Sequence, residues 1–218
     1  MTNIEFDHLV PDLLHMFLRI SDKLLALLID IDLENLDSQF RLNLEDINSK
    51  PNFKKFIDFL EIQCKISNSF KQENKKFTLR SLVGPEMIRI YENLDLVSMF
   101  PQLDNVQNKN ILMNEFFSIY TMVKLYQLDA EQVRVRTKNW LELFLRCYQI
   151  VHVTPYIHCF AIHLHQFVRL YGDINLFNQQ GMEKYNDFST IHYFRSTNKC
   201  KYSYLHQLLI KKSRLESF

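Results

Sequence analysis

Along most of this chain apolar residues recur at intervals of three and four, the spacing of one helical face. From about Leu13 to Ile31 that stripe is Leu14, Phe17, Leu18, Ser21, Leu24, Leu25 and Leu28, while His15, Arg19 and Asp22 share another face. "NFKKFIDFLEIQC" repeats the pattern with Phe53, Phe56, Ile57 and Leu60. Helices are also predicted over "PEMIRIYENL", opened by Gly84-Pro85, and over "ILMNEFFSIYTMVKLY". Another follows over "DAEQVRVRTKNWLELFLRCYQIV", where Asp129 caps the turn that starts at Ala130. Pro155 restarts a helix that Gly172 ends, and a last pair is expected at about Gly181 to Ser196 and Tyr202 to Lys212. One stretch alternates instead: Ile4 and Phe6 face one way, Glu5 and Asp7 the other, predicting a short strand that ends before Pro11. "KISNSFKQENKKFTLRSLVG" reads as a short hairpin or an irregular connection, and "MFPQLDNVQNKN" as a loop. The fold class is mainly α, a helical bundle with one or few short strands.

Composition narrows this further. With 47% hydrophobic residues in 218, a sizeable core can form, and only 3 Gly and 5 Pro argue against an all-β sandwich. A net charge of +1 projects no global field, so any nucleic-acid contact must come from local patches. Such patches are "FKQENKKFTLR", Arg134, Arg136 and Lys138, and towards the end Arg195, Lys199, Lys201, Lys211, Lys212 and Arg214. Cys64, Cys147, Cys159 and Cys200 form no C-x-x-C pair, and residues 1–10 lack the basic start of a signal peptide. Reduced thiols in an intracellular protein, nuclear or cytoplasmic, are expected. The longest apolar run, "LLHMFLRISDKLLALLIDI", is broken by Arg19, Asp22 and Lys23, so no membrane partner is expected.

His152, His158, His163 and His165 invite a zinc reading. Ideal α-helical geometry weighs against it. His158 and His163 are separated by about 500° of rotation at ~100° per residue, so they diverge. His163 and His165 point to nearly opposite faces. His158 and His165 share a face but stand roughly 10 Å apart along the axis. The segment then reads as polar positions on a largely buried helix whose apolar face is Tyr156, Phe160, Phe167, Leu170 and Tyr171. A hydrolase pairing His158 with Cys159 or Cys147 lacks an orienting third group.

Two acids invite a different chemistry. Asp12 stands between a strand-like stretch and a helix, where a carboxylate caps the first-turn amides. The carboxyl end of a strand is also where nucleases hold a metal-binding acid. Glu183 follows Gly181 among Gln179, Gln180 and Asn186, and reads either as a solvated first-turn acid or as a second ligand. A pair of hard cations bridging phosphate oxygens needs several carboxylates converging on one point, and these could supply two.

"VPDLLHMFLRISDKL" and "VTPYIHCFAIHLHQFVRLYGDINLFNQQGMEKYNDFSTIHYFRSTN" together resemble the carboxyl-terminal part of transposon-encoded DDE transposases with a ribonuclease-H-like core, in the neighbourhood of the Kyakuja-Dileera-Zisupton and CACTA lineages. The resemblance covers both ends of the chain well and the middle loosely. It implies that Asp12, ahead of His15, matches the second catalytic aspartate and Glu183 the third acid, with Mg2+ or Mn2+ between them. It implies DNA as partner, and the local basic positions Arg195, Lys199 and Lys201 are the candidate contacts. The implied organisation is a strand and helix of a partial core over residues 1–31, a helical insertion over 32–150, and the core's C-terminal helices over 151–218. The family's first aspartate has no match, since Asp7 does not correspond to it. What is implied is therefore an incomplete ribonuclease-H-like core: a truncated, transposase-like remnant that does not cut DNA. Residues 1–12 would form an unpaired edge, met by a complementing amino-terminal chain or by self-association. The alternative is a non-catalytic helical module for protein–protein interaction.

Overall fold

The computed structural model describes residues 11–38, 50–73, 76–177 and Thr190. The chain divides into two compact units, Met1–Leu176 and Phe177–Phe218. The first unit is mainly helical. In chain order it holds α1 (Leu13–Leu27), α2 (Glu34–Ser38), α3 (Pro51–Asp58), β1 (Phe70–Glu73), β2 (Lys76–Leu79), α4 (Gly84–Asn93), α5 (Leu96–Met99), α6 (Val106–Lys124), α7 (Ala130–Cys147), α8 (Pro155–His158) and α9 (Leu164–Tyr171). Three π-helical segments interrupt these: Leu28–Leu33 between α1 and α2, Phe59–Gln63 after α3, and Cys159–His163 between α8 and α9.

The helix boundaries follow local chemistry. Asp129 Oδ1 accepts the Gln132 amide at 2.8 Å while Gln132 Oε1 accepts the Asp129 amide at 3.1 Å, a reciprocal capping box that starts α7. Thr154 Oγ1 caps α8 through the Ile157 amide, with Pro155 in the first turn. Pro85 opens α4, where Glu86 accepts the Val83 amide at 3.1 Å. Gly172 ends α9 at φ 68°, and a Cβ there would sit 3.0 Å from Tyr126 Oη, so backbone conformation and space both call for glycine. The expected loop over 99–110 is shorter than predicted, since α5 occupies Leu96–Met99 and α6 already starts at Val106. The polar stretch after Cys64 forms the hairpin: β1 and β2 pair antiparallel with Phe70 opposite Leu79. The predicted strand at Ile4–Phe6 and the last pair of helices lie outside the described residues.

α1 is the centre of the unit. It packs against α4, α6 and α8. Met16 and Ile20 are buried along with the predicted Phe17, Leu24 and Leu25, so the helix is covered on more sides than a single amphipathic stripe requires. Rings continue the core outward. Phe17 stacks on Tyr120 at 4.0 Å between centroids, and Phe116 meets Phe160 edge-on at 5.2 Å. Trp140 meets Phe160 at 5.1 Å, and Phe144 meets Tyr148 at 5.5 Å. The Trp140 indole N–H donates to the Leu112 carbonyl at 2.9 Å, which satisfies the one polar atom of the largest buried side chain. The border at residues 31 and 32 expected from the resemblance falls inside the first π-helical segment, in an unbroken helical run from Leu13 to Ser38. Among the described residues no helix is long and apolar enough to cross a membrane.

Candidate functional site

Asp12 is the N-cap of α1. Its Oδ1 accepts the amides of Leu14 at 2.8 Å and His15 at 3.0 Å, and its Oδ2 lies 3.4 Å from His15 Nδ1. The side chain is largely buried, and its charge raises the pKa of the Tyr120 phenol beyond the rise that burial already causes. Glu183, Arg195, Lys199 and Lys201 lie outside the described residues, so of the predicted acid pair only the surroundings of Asp12 are described.

A second buried acid carries a network that the hydrophobic pattern did not single out. Asp32 sits in the first π-helical segment. Its Oδ1 receives Lys109 Nζ from α6 at 2.6 Å, and its Oδ2 receives the Tyr148 hydroxyl at 2.9 Å. Lys109 Nζ also stands 5.6 Å from the Tyr148 ring centroid. The Asp32 and Lys109 side chains are each only 6% exposed, so the pair is desolvated on both sides. Burial pushes the Asp32 carboxyl up from its ordinary value, and the Lys109 ammonium pulls it partly back. Burial, then the negative Asp32, also raise the Tyr148 phenol. One signal in the sequence could have found this group: Lys109 interrupts the α6 stripe of Val106, Met113, Phe116 and Tyr120, a charge on a face that is otherwise core. A third acid, Asp37, is spent on α3, where it accepts the Asn52 and Phe53 amides at 3.0 Å each.

The histidine segment departs from the α-helical expectation. His158 and His163 do not diverge: their ring centroids are 5.1 Å apart at an interplanar angle of 64°. The cause is the π-helical turn Cys159–His163, in which the Leu164 amide bonds to the Cys159 carbonyl five residues back. At about 4.4 residues per turn, five residues sweep roughly 410°, which leaves about 50° between the two positions instead of about 140°. Inside this turn the Ala161 carbonyl lies 3.1 Å from Thr137 Oγ1 on α7, a hydroxyl that also stands 3.4 Å from the Arg134 carbonyl of its own helix, in a fully buried position. His163 Nδ1 lies 3.0 Å from Gln166 Oε1. His165 is half-buried, and burial followed by the Arg169 and Arg134 charges holds its imidazole below the ordinary range. Of the predicted apolar face, Phe160 and Phe167 are buried and Tyr171 is half-buried, but Tyr156 and Leu170 are exposed; the buried face of α9 is Leu164, Phe167 and Val168.

Other side chains are occupied or inert. Burial pushes the thiols of Cys147 and Cys159 up, and that of Cys64 up to about 11, which is the reverse of what a nucleophilic thiolate needs. The Arg136 guanidinium forks onto Glu115 at 2.7 and 2.9 Å, and Arg134 is paired with Glu131. Arg80 forks onto Glu86 at 3.0 and 2.6 Å. Among the described residues, no three His, Cys, Asp or Glu side chains gather where they could hold a metal ion. Compared with known protein families, with curated proteins and with solved structures, the chain matches none.

Proposed function

We propose that this chain is a transposase-derived helical protein that binds DNA without cutting it. The observation that carries the non-catalytic part is the use made of Asp12. Its Oδ1 is spent on two backbone amides of the helix it starts, and its Oδ2 faces His15. A carboxylate in that role supports the first turn of α1, and the oxygen left over, Oδ2, is directed at His15. The resemblance at the two ends of the chain supplies the ancestry. With it come the ribonuclease-H-like relationship, the reading of residues 32–150 as an insertion, and Mg2+ or Mn2+ at Asp12 and Glu183 in an intact relative. DNA contact is assigned to Arg195, Lys199 and Lys201, while Arg80, Arg134 and Arg136 neutralise carboxylates of the same chain.

The test has two arms. Supercoiled plasmid incubated with the purified chain and Mg2+ or Mn2+ is expected to stay intact; nicking that Glu183→Gln abolishes would refute the non-catalytic role. Duplex DNA is expected to bind at low salt and to be released steeply as salt rises. Absence of binding at low salt would refute the DNA role. A second reading, a protein-interaction module, is favoured by the turn Ile150–His152, where Ile150 is 77% and Val151 75% exposed side by side. Under that reading the protein is larger than a monomer in solution, and replacing both residues by serine restores the monomer mass.

A further inference from the structure

A groove of about 360 Å3 separates α1 from the hairpin. One wall is a helical face: Arg19, Asp22, Ala26 and Asp30 follow one another at steps of three and four, along α1 and into the π-helical segment after it. The other wall is a run of consecutive residues, 78–81. A strand turns alternate residues to each of its faces, so a consecutive run lines a groove only along the strand's edge. The ladder agrees. The Arg80 amide donates to the Ser69 carbonyl at 2.8 Å, in register with Phe70 opposite Leu79. Bonded and non-bonded pairs alternate in an antiparallel ladder, so the N–H and C=O of Leu79, and those of Phe77 two residues back, point away from β1. Among the described residues the sheet has two strands, and no third one pairs with that edge.

The two walls define what fits between them. The outward N–H and C=O of Leu79 match the main chain of an extended peptide, the group that completes a sheet edge. The helical wall selects side chains. Asp22 is half-buried, and burial pushes its carboxyl up. Among the described residues its one ion pair is with Arg19 at 3.8 Å, too long for a hydrogen bond, and it accepts no other. A lysine or arginine side chain entering the groove supplies the missing donor. One turn on, Ala26 leaves room for an aliphatic side chain, which would rest against Ile29 and Leu79. The spacings agree: four residues of helix advance about 6 Å, and two residues of strand advance about 6.6 Å. Because α1 bounds the far side, the groove admits one strand and not the two-stranded hairpin of a second copy.

We infer that the groove between α1 and β2 is a docking site for an extended peptide segment of a partner protein. The segment adds a strand to β2 and carries a basic residue for Asp22, with an aliphatic residue two positions along for Ala26. The site is separate from the exposed turn Ile150–His152, and it does not depend on the DNA reading.

The experiment uses the full chain and a fluorescein-labelled peptide, Lys-Thr-Val-Thr-Lys, acetylated at one end and amidated at the other. It reads alike in both directions, so a lysine meets Asp22 whichever way the added strand runs. Fluorescence anisotropy is expected to rise saturably, with a dissociation constant below roughly 1 mM. Asp22→Asn should weaken binding about tenfold, and Ala26→Arg, which fills the groove with a like charge, should abolish it. Circular dichroism and Trp140 emission matching the unsubstituted chain establish that each variant is folded. Methylating the peptide's own amides tests the added strand with no change to the protein. Successive N–H groups of a strand point to opposite sides, so methylation at the valine and at a threonine should have unequal effects: a loss of about tenfold or more for the one facing β2, and within about twofold for the other. Absence of saturable binding, Asp22→Asn binding as the unsubstituted chain does, or equal losses from the two methylations would overturn the site. A dimer that Ala26→Arg converts to monomer, with no peptide bound, would assign the groove to a second copy instead.

Discussion

Replacing Lys109 by methionine tests how the core tolerates its charges. The substitution keeps the length and apolar stem of the side chain and removes the ammonium 2.6 Å from Asp32 Oδ1. Asp32 then keeps only the Tyr148 hydroxyl, at 2.9 Å, in a position where its side chain is 6% exposed. Stripping one partner from a buried ion pair costs roughly 3–5 kcal/mol, because the remaining charge is neither hydrated nor paired. With a urea dependence of roughly 2 kcal/mol per molar, the midpoint should fall by about 1.5–2.5 M at unchanged slope. Trp140 is the single tryptophan, is fully buried and is hydrogen-bonded to Leu112, so its emission reports the transition. The cost must also depend on pH. Burial already raises the Asp32 carboxyl, and loss of the ammonium raises it further. A carboxyl whose folded pKa lies above its unfolded value keeps more protons in the folded state, so stability falls as pH rises through that window. The deficit of Lys109→Met should therefore be small near pH 4 and grow toward neutrality. Joint replacement, Asp32→Leu with Lys109→Met, removes both charges and should recover most of the loss. A deficit below about 1 kcal/mol at neutral pH, or one independent of pH, would refute the claim that this pair is desolvated and coupled.

Substitutions at three further positions address other elements. Asp12→Ala should cost about 1 kcal/mol in the same urea transition and Asp12→Ser much less, since serine restores the cap; equal losses would mean the carboxylate serves something other than α1. Thr137→Val removes the hydroxyl bond to the buried Ala161 carbonyl and should cost about 0.5–1.5 kcal/mol, read as the thermal midpoint, with Thr137→Ser close to neutral. Arg80 beside Glu86 holds that carboxyl below its ordinary value of 4.5, so its contribution is present above that value and lost as pH falls through the lower folded pKa. Glu86→Gln should flatten the acid limb of stability against pH, and an unchanged limb would count against the pair.

What the sequence disclosed and what it concealed divide along one physical line. Caps and stops are local: Asp129, Thr154, Pro85, Pro155 and Gly172 act on atoms within a few residues, and the edges they set were readable. The buried faces of α1 were read only in part, since a helix covered on several sides loses the contrast between apolar and polar positions on which periodicity depends. The π-helical turns were not readable, because what accompanies them comes from far along the chain. Lys109 and Tyr148 reach Asp32 across 77 and 116 residues, and Thr137 reaches Ala161 across 24. That gap has a direct consequence for chemistry. At about 100° of rotation per residue the side chains of His158 and His163 diverge. In the wider π-helical turn the same five-residue spacing brings the rings to 5.1 Å. Spacing rules for paired side chains thus carry a premise about helix type, and a wider turn reverses their conclusion without changing any residue between the two histidines.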